Sequence, residues 1–171
     1  MFYKTGEPAA GRENRHIISV VVENKPGVLA RIASLFSARG FNIESLNVGE
    51  TENPQWSRMT ITVTGDDQAM EQIRKQLEKL VDTLKVSELT ESPCVERDFA
   101  LIKLKIASGR RGEFKDLVEI FRAKIADISE RHMIVELSGS EEKIQAFIKL
   151  AAPFGIVEMV RAGRIAIKRG E

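Results

Sequence analysis

The apolar residues of this 171-residue chain pass through one order of periods twice, and that repetition limits the folds open to it. A β-branched run at 16–22, His-Ile-Ile-Ser-Val-Val-Val, is short and stiff and reads as a strand. Val28, Leu29, Ile32, Leu35 and Phe36 then recur on one helical face. Residues 41–49 form a second strand. In 58–64, Met59, Ile61 and Val63 alternate with Arg58, Thr60, Thr62 and Thr64, as in a half-buried strand. Gly65-Asp66-Asp67 ends it and caps a helix with Met70, Ile73, Leu77, Leu80 and Leu84 on one side. Residues 85–89 make a fourth strand. The order is βαββαβ.

Thr90-Glu91-Ser92-Pro93 punctuates the chain, and the order restarts. Residues 99–106 read as a strand, and Phe114, Leu117, Val118 and Phe121 mark a helix. Strands at 125–128 and 133–137 follow, then a helix capped by Ser140 with Ile144, Phe147, Ile148 and Ala151 inward. Residues 156–160 and 164–167 close the set. The fold class is α+β, with two tandem ferredoxin-like βαββαβ domains. The expected division is a flexible lead-in at 1–14, a first domain at 15–91, a linker at 92–98 and a second domain at 99–171. Each unit buries a modest core, and an uncovered sheet edge invites a second copy.

This order serves unrelated functions, so function must come from residues. With 26 Lys+Arg against 25 Asp+Glu, no field points to nucleic acid or a membrane surface. The third strand carries no aromatic residue on which a base could stack. The single cysteine, Cys94, reads as an inert linker thiol and supplies neither a disulfide nor a multi-cysteine metal site. His16 and His132 carry no nucleophile or metal motif around them, and no Gly-rich phosphate loop is present. No catalytic residue and no metal ligand are therefore assigned. No apolar run reaches the ~20 residues of a membrane span. A cytoplasmic chain is expected.

What remains is Glu23-Asn24-Lys25-Pro26-Gly27-Val28-Leu29, read with Arg39-Gly40-Phe41-Asn42-Ile43. Asn24 stands where a helix N-cap belongs, and Pro26 suits a first turn. Gly27 lets another molecule approach the backbone, and the free N–H groups of a helix start suit a carboxylate. Such a turn can equally be a plain cap; the second amide, Asn42 after a C′ glycine, shifts the weight toward a small-molecule sensor. Trp56 in the polar loop fits either an interface anchor or a cover over a sheet edge.

Residues 23–31 resemble the strand-to-helix turn of an ACT domain, an amino-acid-sensing module. Residues 35–46, Ser57-Arg58-Met59-Thr60-Ile61 and 76–82 resemble the small regulatory subunit of acetohydroxyacid synthase (acetolactate synthase). Val95-Glu96-Arg97, Leu101-Ile102-Lys103, Glu119-Ile120-Phe121-Arg122 and Ile156-Val157-Glu158 carry the likeness through the second half. The resemblance implies a non-catalytic chain that activates a large subunit and confers feedback inhibition by valine in branched-chain amino-acid synthesis. It implies thiamine diphosphate, Mg²⁺ and FAD on that large subunit and no cofactor here. It also implies homodimers through ACT domains, with Asn24, Gly27, Val28 and Leu29 of one protomer and Asn42 and Ile43 of the other around valine. The isopropyl group would rest on Val28, Leu29 and Ile43. The alternative is a free-standing ACT-domain sensor acting on another enzyme or on transcription.

Overall fold

A computed structural model describes residues 14–90 and 92–170. The first domain runs β1 (Asn14–Glu23), α1 (Val28–Ser37), β2 (Ile43–Glu50), β3 (Trp56–Gly65), α2 (Asp67–Leu77) and β4 (Thr83–Glu88). The second runs β5 (Cys94–Lys105), α3 (Arg111–Ile120), β6 (Lys124–Ile128), β7 (His132–Gly139), α4 (Glu141–Ala151), β8 (Ile156–Arg161) and β9 (Ile165–Lys168). Each sheet is antiparallel, ordered β2-β3-β1-β4 and β6-β7-β5-β8, with β9 paired to β5. Both are ferredoxin-like. Of the lead-in read at 1–14, only Asn14 lies within the described residues, and it opens β1.

The caps explain where helices start. Asp66 accepts from Ala69 N at 2.8 Å to begin α2, and Ser140 accepts from Lys143 N at 3.4 Å to begin α4. Phe36, Ile32 and Leu77 meet Val20, Ile61 and Val63 in one core, while Phe114, Phe147 and Leu104 anchor the other.

Three expectations need correction. Helix α2 stops at Leu77, so Leu84 is not on its face but in β4, 43% exposed. Two tight turns, Lys79 N to Gln76 O at 3.2 Å and Leu80 N to Leu77 O at 3.2 Å, unwind the helix early. Asn24 is not the N-cap of α1; Gly27 is, at φ 87°. From Cys94 onward the segment read as a linker is strand, because β9 pairs with it from Cys94↔Lys168 to Arg97↔Ile165.

The unbroken run from Ile17 to Val22 is buried on both faces of β1. Ile18, Val20 and Val22 face the helices, while Ile17 clusters with Leu89 and Ala166 of β9. The second domain thus covers part of the back of the first sheet. Arg15, Glu44, Glu96, Asp98, Glu141, Arg161 and Arg164 line this junction in paired charges. Burial pushes the Glu141 carboxyl up, but the hydrogen bond and charge of Arg15, with Arg164 and Arg161, hold it below the ordinary carboxylate value. A carboxyl lowered in the folded state contributes stability above its unfolded value, near pH 4.5, and loses it as pH falls through the folded one. The gap in thermal midpoint between the parent chain and Glu141→Gln is expected to shrink from about pH 6 to about pH 3. A constant gap would show that Glu141 is not linked to folding.

Candidate functional site

The entrance to α1 is built by the ends of three strands. Asn24 N donates to Gln55 O at 2.7 Å, and Asn24 Nδ2 donates to Pro54 O at 3.0 Å and Glu50 Oε1 at 3.2 Å. Both amide hydrogens thus hold the β2–β3 turn, and Oδ1 is left to accept. Lys25 and Pro26 lead into Gly27, whose left-handed φ explains the glycine. The first helical bond is Arg31 N to Gly27 O at 3.1 Å.

Among the described residues no side chain caps α1, and no acidic residue lies in its first turn. Helices α2, α3 and α4 each carry an acidic residue there. The positive end of the α1 dipole is therefore uncompensated from within its first turn. Among the described residues, a Cβ at Gly27 would meet nothing within 4 Å, so the approach is open. Lys25, exposed beside it, is held above the ordinary lysine value by its hydrogen bond to Glu23. Arg31 pairs with Asp82 at 2.8 Å. The arrangement can accept a carboxylate.

The other expected residues sit differently. Leu29 is 41% exposed beside the entrance, whereas Val28 is 3% exposed and packs in the core. Helical phase turns the Val28 side chain inward, and its N–H makes a long bond of 3.5 Å to Lys25 O. Residues 36–41 form a Schellman closure: Phe41 N donates to Phe36 O at 3.0 Å and Gly40 N to Ser37 O at 3.0 Å, with Gly40 at φ 74°. Asn42 follows, exposed, and Ile43 opens β2 half-buried against the core. Ile43 pairs with Val63, while the α1 entrance lies by Trp56, which pairs with Glu23. Seven residues of β3 separate these points, about 20 Å at ~3.3 Å per residue. One chain does not bring Asn42 and Gly27 together. Trp56 is 38% exposed at the near end of β3.

Sequence reasoning missed Glu50, Pro54 and Gln55, which position Asn24. The Asn53-Pro54 turn was their only local signal. Among the described residues, hollows also lie elsewhere. One of about 360 Å³ is the charged junction, and one of about 660 Å³ borders His16, which meets Glu88 at 2.9 Å. Among the described residues, no group of three or more His, Cys, Asp or Glu is placed to hold a metal, and no helix is long and apolar enough to cross a membrane.

A family model described as "AHAS small subunit-like ACT domain" matches residues 18–85. Another, "Small subunit of acetolactate synthase", matches residues 97–170. The chain is 54% identical over 156 residues to the probable acetolactate synthase small subunit of Archaeoglobus fulgidus, covering 91% of this chain and 98% of that one. It is 52% identical over 160 residues to the acetolactate synthase small subunit of Aquifex aeolicus, covering 93% and 83%. The crystal structure of the Thermotoga maritima acetolactate synthase small subunit superposes with TM-score 0.83 at 45% identity, covering 92% of this chain and 99% of that one.

Proposed function

This chain belongs to the family of acetolactate synthase small subunits, and we propose that it activates a catalytic large subunit and makes that subunit sensitive to valine. The observation that carries the effector reading is the uncapped start of α1 at an open, left-handed Gly27. Valine's carboxylate accepts from the first-turn N–H groups. Its ammonium donates to Asn24 Oδ1 of one protomer and to the Asn42 side chain of the other. Its isopropyl group rests on Leu29 and Ile43.

The split site follows from an edge. Strand β2 lies at the border of its sheet, and two copies adding β2 to β2 antiparallel form a two-fold pair. That axis exchanges the ends of the sheet, so the α1 entrance of one protomer meets Asn42 of its partner. Valine then stabilises the dimer arrangement it binds best, and this differential affinity is what regulates. Acetolactate chemistry belongs to the large subunit, which carries thiamine diphosphate, Mg²⁺ and FAD in this reading. The complex works in the cytoplasm.

The test is a calorimetric valine titration of the full chain and of Asn42→Ala, with acetolactate formation measured in the reconstituted complex. The variant is expected to bind roughly 5- to 150-fold more weakly, as a lost buried hydrogen bond of ~1–3 kcal/mol dictates, while still activating. An unchanged dissociation constant removes Asn42 from the site. Acetolactate formation by the purified chain alone, with cofactors added, would overturn the regulatory assignment.

A further inference from the structure

Strand β2 carries a second contact besides the one assigned to the effector. A bulge between Ile43 and Ser45 shifts its register against β3. Ile43 and Leu46 therefore both pack toward the helices, and Ser45 and Asn47 face the back of the sheet. There they meet the β8–β9 turn of the second domain. Asn47 Nδ2 donates to Ala162 O at 2.8 Å and to Arg164 O at 3.2 Å, spending both amide hydrogens on the carbonyls that flank Gly163. Gly163 has φ 83°, and a Cβ there would lie 2.7 Å from Ser45 Cβ. Both the conformation and the close approach require glycine.

The turn is not a loose flap. Strand β9, directly after it, is hydrogen-bonded to β5, and Arg164 holds Glu96 of β5 at 3.0 Å and Glu141 of α4. Glu141 also meets Arg15 of β1, which holds Glu44 of β2 at 2.8 Å. These pairs and the strand pairing join β2 to β9, β5 and α4 of the second domain. The seating also carries a counterweight. Thr62, on β3 opposite Ser45, is fully buried and its hydroxyl has no partner among the described residues. Undocking lets water reach that hydroxyl, which brings the docked and undocked arrangements closer in free energy. A contact so balanced can respond to a ligand.

We propose that the turn at 162–164, gripped by Asn47 on β2, is the element through which valine bound at the edge of the first domain acts on the second. This rests on the valine reading above. Asn42 directly precedes β2 and Asn47 lies within it five residues on, so ligand contact and grip share one stretch of backbone.

The test uses Asn47→Asp in the full chain, an isosteric change that removes both donors and sets a carboxylate against two carbonyls. Asn47→Ala serves as a second variant. Hydrogen exchange is followed at 27–30 and at 162–168 with and without valine, and valine inhibition is measured in the reconstituted complex. In the parent chain valine is expected to slow exchange in both segments. In a folded variant it should slow exchange at 27–30 only. Inhibition should then require at least ~10-fold more valine, within the roughly 5- to 150-fold range of allosteric couplings, with activation retained. A variant that transmits valine to 162–168 and is inhibited like the parent overturns the grip alone. A parent chain with no valine protection at 27–30 overturns the effector reading, and the transmission role with it.

Discussion

Gly27→Asp is expected to abolish the response to valine and to weaken binding by more than about 100-fold. The new carboxylate stands at the helix start where the ligand's carboxylate would sit, so a charge-assisted contact worth ~1.5–3 kcal/mol is replaced by repulsion. The fold should survive. The added Cβ meets nothing within 4 Å, and Asp is among the few residues that tolerate a left-handed φ, here 87°. The remaining strain is on the order of 1 kcal/mol, a fall in thermal midpoint of ~2–4 °C for a chain of this size. Calorimetric titration, beside a circular dichroism melt, reads both quantities. Binding within threefold of the parent would take the α1 entrance out of the site. Gly27→Ala separates the terms, since it adds the Cβ and strain without the charge.

Phe147→Ala is expected to unfold the second domain well before the first. Phe147 is fully buried on α4, with edge contacts to Phe121 at 5.4 Å and Phe114 at 6.4 Å between ring centroids. Truncating a buried Phe costs ~3–5 kcal/mol, a total that includes its lost aromatic contacts. Against a total of ~5–15 kcal/mol this is a large share, and a midpoint fall on the order of 10 °C follows. The first core, around Phe36 and Ile61, does not include Phe147. Scanning calorimetry should therefore show a low-temperature transition split from the main one. A shift under about 2 °C would mean that neighbouring side chains collapse into the space.

Much of the architecture was legible because its signals are local. The alternation in 58–64 gave β3, and Asp66 and Ser140 act as the N-caps their positions implied. Gly40 closes α1 with its positive φ, as the glycine suggested. The misreadings fall where a distant contact competes. Leu80 and Leu84 keep helical spacing beyond Leu77, but the chain must turn to reach the edge position of β4. The polar stretch from Cys94 reads as a linker until β9, about seventy residues later, supplies its hydrogen bonds. Asn24 has the chemistry of a cap, yet its amide is occupied by Pro54 and Glu50.

The sequence by itself determined the two βαββαβ units and the caps of α2 and α4, because propensity and capping act within a few positions. In the structure β1 is buried on both faces from Ile17 to Val22. Only the tertiary structure decided what covers that second face. Ala166 and the turn at Gly163 come from the far end of the chain, and no local pattern encodes a contact across about 120 positions. Only the tertiary structure, too, set Gly27 and Asn42 at opposite ends of one sheet. Strand order and register fix that separation, and both are settled by non-local packing.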